Sequence, residues 1–135
     1  MSATATATAT ATVLIVDDDA LDRRFMERAL RRVMPGLDVR HAAGGEEGVD
    51  LARGCAPDVV ILDLSMPGTD GFDVLSKLAA CGIEVPVVMM SSSDRPAERA
   101  RAAHLGARQF VPKPLSSDAY FTTSDMICQT YLNQK

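Results

Sequence analysis

Short unbroken apolar runs alternate along this chain with stretches in which apolar residues return every three or four positions. The first pattern marks a strand buried on both faces, the second an amphipathic helix. Val13-Leu14-Ile15-Val16, Val59-Val60-Ile61-Leu62 and Val85-Pro86-Val87-Val88-Met89-Met90 are the strongest runs. Weaker ones at 37–41 and 109–111 bring the predicted strands to five. After the first strand, Leu21, Phe25, Ala29 and Val33 recur every four residues beside Met26 and Leu30. The arginines at 23, 24, 28, 31 and 32 fall mainly on the opposite helix face. Asp19 is placed to cap this helix and Met34-Pro35-Gly36 ends it. A short glycine-flanked helix is predicted over 46–52, and another through Phe72, Leu75, Leu78 and Ala79, closing near Gly82. A fourth opens at Pro96 and runs to about Leu105, before Gly106. The last starts near Ser116, with Tyr120, Ile127 and Tyr131 on one stripe. Five strands alternating with helices imply an α/β fold: a doubly wound, five-stranded parallel sheet covered on both faces.

Outside this pattern lie residues 1–12, a low-complexity tail of alternating Ala and Thr with too little apolar area to offset ordering. The folded domain is expected over 13–135, a length that suits one core. A net charge of -4 gives no general reason to bind nucleic acid, and no apolar run is long enough to cross a membrane. The N-terminus lacks a basic segment ahead of its apolar run, so it does not read as a secretion signal. Cys55, Cys81 and Cys128 lack metal-site spacing and suit reduced side chains in a cytoplasmic protein.

The chemistry gathers where strands end. The first strand runs into Asp17, Asp18 and Asp19; the third ends on Asp63 and is turned out of the sheet by Met66-Pro67-Gly68 and Asp70-Gly71. Open α/β sheets bind ligands at these carboxyl ends. If the first and third strands are neighbours, Asp17, Asp18 and Asp63 converge, and like charges so close need a cation. Oxygen ligands without His or Cys suit a hard ion, and Mg²⁺ best, since it leaves room for phosphate oxygens. Ser91 adds a hydroxyl after the fourth strand and Lys113 a charge after the fifth. Such a site suits a transferred phosphoryl group, with Asp63 as nucleophile. Taken singly, each residue has a plainer reading: Asp63 as a turn residue, the aspartate run as a helix cap, Phe110 as core filling. His41 and His104 read as surface or packing residues.

In these motifs the sequence resembles the receiver domain of two-component response regulators, over about residues 13–115. The likeness rests on Val16-Asp17-Asp18, Leu62-Asp63-Leu64-Ser65-Met66-Pro67, Asp70-Gly71, Ser91 and Lys113-Pro114 in combination. It implies a flavodoxin-like sheet of order 2-1-3-4-5. By the same likeness Asp63 is the phosphoacceptor, Asp18 a direct Mg²⁺ ligand, Asp17 a support through water, and Ser65 the donor of a backbone carbonyl. Ser91 is then the switch hydroxyl, Lys113 the phosphate-pairing lysine, and Phe110 the aromatic that turns on activation. The Lys113-Pro114 bond is usually cis in the family. Ser92 departs from the usual Ala or Gly, Pro112 removes a backbone donor beside Lys113, and the last helix is unusually rich in Ser and Thr.

The expectation is therefore a stand-alone phosphoacceptor signalling protein rather than a conventional enzyme. Its donor is a histidine kinase or histidine phosphotransfer protein, and its output a change in contacts with an unnamed protein target, without nucleic acid or membrane. Hydrolysis of its own acyl phosphate is expected to be slow. Two rivals stand beside this reading. An aspartate-nucleophile phosphohydrolase of the haloacid-dehalogenase type would use Asp17 and Asp19, but it has Leu21 where Thr or Val is expected and gives the Asp63 turn no purpose. A pseudo-receiver would keep the fold and take no phosphate.

Overall fold

A computed structural model describes residues 10–132. Its central sheet is made of β1 (Thr12–Val16), β2 (Asp38–Ala42), β3 (Val59–Asp63), β4 (Val87–Ser91) and β5 (Gln109–Pro112). The order is β2-β1-β3-β4-β5 and every pairing is parallel. This is the doubly wound receiver-type topology that the alternating pattern and the resemblance implied. Four helices connect the strands, α1 (Ala20–Val33), α2 (Gly45–Cys55), α3 (Gly71–Ala80) and α4 (Pro96–His104), and α5 (Ser117–Ile127) follows β5. Residues Cys128–Leu132 continue α5 as a π-helical turn. The first nine residues of the Ala/Thr tail lie outside the described residues; Ala11 is buried and Thr12 already pairs with Asp38.

Because successive strand side chains point to opposite faces, each apolar run supplies two cores. Val13, Ile15, Val59, Ile61, Val88 and Met90 pack against α1 and α5, through Met26, Ala29, Leu30, Tyr120 and Ile127. Leu14, Val16, Val60, Leu62, Val87 and Met89 pack against the other three helices, through Val49, Ala52, Phe72, Leu75, Leu78 and Ala102. Helix starts follow their local chemistry. Asp19 accepts from the N–H groups of Leu21 and Asp22, Asp70 from that of Phe72, and Ser116 from that of Ala119. Pro96 occupies the first turn of α4.

Several boundaries differ from the sequence pattern. The second strand begins one residue late, leaving Leu37 as a buried lead-in. The fourth starts at Val87, since Pro86 has no N–H for the ladder, although its carbonyl still accepts from Val60 N–H at 2.9 Å. The apolar stripe of α1 is rotated: Met26, Ala29 and Leu30 are buried, whereas Leu21 is 53% and Phe25 40% exposed. None of the peptide bonds among the described residues is cis, so Lys113-Pro114 is trans, the ordinary state of an X–Pro bond and not the one expected.

Glycine matters most at Gly71. A Cβ there would lie 2.8 Å from Leu64 Cα and 3.1 Å from the Asp63 carbonyl oxygen. Its absence lets the start of α3 abut the loop that carries Asp63, and Gly71 N–H donates to the Leu64 carbonyl at 3.1 Å. Between them, Ser65–Met66 and Thr69–Asp70 form a tight ribbon that turns through Gly68 at φ 73°. The ribbon lifts the chain off the sheet immediately after Asp63.

Candidate functional site

At the carboxyl edge of the sheet, β1 ends beside β3, with Val16 paired to Leu62. That register sets Asp17 and Asp18 next to Asp63, and one carboxylate oxygen from each lies within 4.8 Å of the others. Asp17 and Asp63 are buried and Asp18 is exposed. Lys113, at the end of β5, reaches across the rim. Its Nζ lies 3.1 Å from Asp63 Oδ2 and 3.5 Å from Asp17 Oδ2. The other Asp63 oxygen, Oδ1, accepts the backbone N–H of Ser65 at 3.2 Å. Asp17 Oδ1 in turn accepts the N–H of Asp19 at 2.9 Å.

Charge is unevenly balanced here. Burial pushes the Asp17 carboxyl up from its ordinary 3.8 to about 6, and the neighbouring charge of Asp63 adds to this. The Asp19 N–H and Lys113 oppose the shift without cancelling it. For Lys113 burial works against the ammonium, but the bonds to Asp63 and Asp22 and the charge of Asp17 outweigh it and raise its pKa. One lysine thus leaves three gathered carboxylates under-compensated. Their donor set is oxygen only, and it fits a hard divalent ion such as Mg²⁺.

Ser91 closes the last position of β4 and is buried, 1% exposed. Its Oγ accepts the N–H of Ser93 at 2.9 Å, and its carbonyl accepts the N–H of Lys113 at 2.9 Å, which ties the ends of β4 and β5 together. The missing donor of Pro112 leaves this tie intact, because the bond comes from Lys113 itself. Phe110 is half-buried against the α2–α4 side of the core. The guanidinium of Arg99 lies 5.1 Å from its ring centroid, donates to the Phe110 carbonyl at 3.0 Å, and pairs with Asp94 at 2.7 Å. Phe110 therefore sits under an arginine clamp, apart from the acidic rim. Asp17, Asp18, Asp63, Ser65, Ser91 and Lys113 are brought together at the rim or beside it. His41 pairs with Glu27 at 2.6 Å, away from these residues.

Two α1 residues at the site escaped the sequence reading. Asp22 puts Oδ2 3.1 Å from Lys113 Nζ, and Arg23 donates to the Asp17 carbonyl. Arg23, expected on the solvent face, is half-buried, and its Nε is a buried donor without a partner.

Residues 13–123 match the family model of the response regulator receiver domain. Among curated proteins, the response regulator MprA of Mycolicibacterium vanbaalenii is 35% identical over 104 residues, covering 77% of this chain and 44% of that protein. The chain spans less than half the length of such relatives. The chemotaxis protein CheY4 of Vibrio cholerae superposes with a TM-score of 0.77 at 26% identity, over 88% of this chain and 99% of that one. The phosphorylated cyanobacterial phytochrome response regulator RcpA reaches a TM-score of 0.83, over 93% of this chain and 96% of its own; at 24% identity it speaks for the fold.

Proposed function

Because the chain belongs to the response regulator receiver domain family, which works with histidine kinases in two-component systems, we propose that Asp63 accepts a phosphoryl group from a phosphohistidine donor. The observation that carries this is the 3.1 Å pairing of Lys113 Nζ with Asp63 Oδ2 inside a gathered set of carboxylates. In the transfer an Asp63 oxygen forms a bond to phosphorus as the donor's phosphorus–nitrogen bond breaks, and the imidazole keeps the electron pair. Lys113 offsets charge on the phosphoryl oxygens, and the Ser65 N–H fixes the orientation of the Asp63 carboxylate. The carboxylates of Asp17, Asp18 and Asp63 with the Ser65 carbonyl would hold Mg²⁺, which supplies neutralisation of anionic charge between donor and acceptor. The chemistry is confined to the protein's own aspartate, as befits a signalling domain rather than a conventional enzyme.

The switch proposed is a hydroxyl-to-aromatic coupling. Ser91 turns its hydroxyl from Ser93 N–H to the new phosphoryl group, the loop after β4 shifts, and Phe110 leaves the Arg99 clamp. A ligand shifts such an equilibrium only through differential contacts with the two states, and the Ser91 and Lys113 bonds supply them. The output face is then α4, β5 and α5, read by a protein target. Donor docking is assigned to the groove between α1 and α5, of about 590 Å³, whose lining includes Phe25, Leu115 and Phe121. Asp22, which pairs with Lys113, and Pro114, its neighbour in the chain, also line it. Residues 13–135 are taken as the receiver and 1–12 as a low-complexity tail. The three cysteines are free thiols, consistent with a place in the reducing cytoplasm.

The test is labelling with acetyl phosphate, with and without Mg²⁺. Wild type should gain a hydroxylamine-sensitive label that Asp63→Asn lacks. Label that persists in that variant, or that maps to Asp17, would sink the assignment. The family match over residues 13–123 supports the receiver reading, in which Asp63 rather than Asp17 is the nucleophile.

A further inference from the structure

Lys113 is shared among more carboxylates than the phosphoacceptor site itself requires. Asp22, in the first turn of α1, holds its Nζ at 3.1 Å, the same distance as Asp63. The second Asp22 oxygen, Oδ1, accepts from the Tyr120 hydroxyl at 3.5 Å. Asp22 thus links the lysine at the end of β5 to the buried aromatic of α5, which packs on Phe25 with ring centroids 5.8 Å apart.

An ammonium has three N–H donors. Asp63, Asp22 and Asp17 crowd that of Lys113 at 3.1, 3.1 and 3.5 Å, so a phosphoryl oxygen that joins must compete with them for its donors. Asp17 is buried and fixed by the Asp19 N–H, and Asp63 carries the phosphoryl group itself. Asp22 is the most exposed of the three: its side chain is 26% exposed, against 6% for Asp17 and 4% for Asp63. It therefore recovers water at the least cost when the lysine leaves. Its charge also stands beside the place where an anionic phosphoryl group arrives, and opposes it.

We propose that Asp22 is a positioning residue that restrains Lys113 before transfer and gives it up to the phosphoryl group afterwards, altering the Tyr120 hydroxyl's bond to Asp22 in the same exchange. The inference rests on the reading of Asp63 as phosphoacceptor. It gives the site a second line of communication, through Tyr120 to the α1–α5 face, beside the one from Ser91 to Phe110.

The experiment compares initial rates of acetyl phosphate labelling at Asp63 in wild type, Asp22→Asn and Asp22→Glu. Asn keeps the shape and removes the competing charge, and a screened charge a few ångströms away changes a rate by roughly threefold to tenfold. Asp22→Asn should label faster by about that factor, and Asp22→Glu should return toward the wild-type rate. Tyrosine emission supplies the spectroscopic readout. The protein has two tyrosines and no tryptophan, so in a Tyr131→Phe background Tyr120 alone reports. Beryllium trifluoride with Mg²⁺ should change that emission with Asp22 present and leave it unchanged in Asp22→Asn. Equal or slower labelling of Asp22→Asn, or an emission change that survives the substitution, would overturn the role of Asp22 while leaving Asp63 as acceptor. No label on wild-type Asp63 would instead overturn the acceptor reading, and this proposal with it.

Discussion

Asp17→Asn should stabilise the metal-free protein, although it removes a charged group that faces a lysine. In the folded state the Asp17 carboxyl titrates near 6 against an ordinary 3.8, chiefly because it is buried and secondly because Asp63 is close. Holding it ionised at neutral pH therefore costs the fold about 3 kcal/mol at most. Asn keeps the oxygen that accepts the Asp19 N–H but must bury an amide in place of the carboxylate, so the net gain is put at about 1–3 kcal/mol. For a domain of this size that is about 4–12 °C in Tm. The pH dependence follows from the same shift. Between about pH 4 and 6 the folded state binds more protons than the unfolded one, so wild type loses stability as pH rises through this window and keeps the deficit above it. The advantage of Asp17→Asn should thus be full at pH 7.5 and vanish near pH 4. Urea unfolding of both proteins in EDTA across pH 4–8 measures it. Magnesium at several millimolar should narrow the gap, because wild type gains binding energy and the variant gains less. An Asp17→Asn protein less stable than wild type in EDTA at pH 7.5, or an advantage that does not change with pH, would refute the reasoning.

Three further outcomes test other parts of the structure. Asp18→Ala should weaken Mg²⁺ binding at least tenfold in a titration with beryllium trifluoride present, a loss of about 1.4 kcal/mol or more; equal affinities would remove Asp18 from the metal set. Gly71→Ala should cost about 1–3 kcal/mol in urea unfolding, since the new methyl meets the Leu64 backbone at 2.8 Å and backbone cannot yield as a side chain can; a neutral result would mean that the loop after Asp63 relaxes freely. Cys128, whose thiol burial pushes up to about 11, should resist a maleimide at pH 7.5 under conditions that label the exposed Cys81, as read by mass spectrometry; comparable labelling of the two in the folded protein would show that the α5 end opens.

What the chain determined by itself is what depends on near neighbours in sequence. Unbroken apolar runs fixed the strands, four-residue recurrences the helices, and Pro/Gly turns the points where the backbone leaves the sheet. Asp17, Asp18, Asp63, Ser91 and Lys113 could each be placed at a strand end because the runs stop there. Tertiary structure alone decided how those ends meet. The β1–β3 register brings carboxylates distant in sequence within 4.8 Å, and the reach from β5 lets one lysine serve them. It also rotated α1, burying Met26, Ala29 and Leu30 and leaving Leu21 and Phe25 outside. Helix periodicity gives the width of an apolar stripe, but the angle at which the helix docks chooses its centre. The same rotation carried Asp22 to Lys113 and Arg23 to the Asp17 carbonyl. Neither contact has a local signature, because a charged residue on a first helical turn looks the same whether it faces water or a lysine from the far end of the sheet.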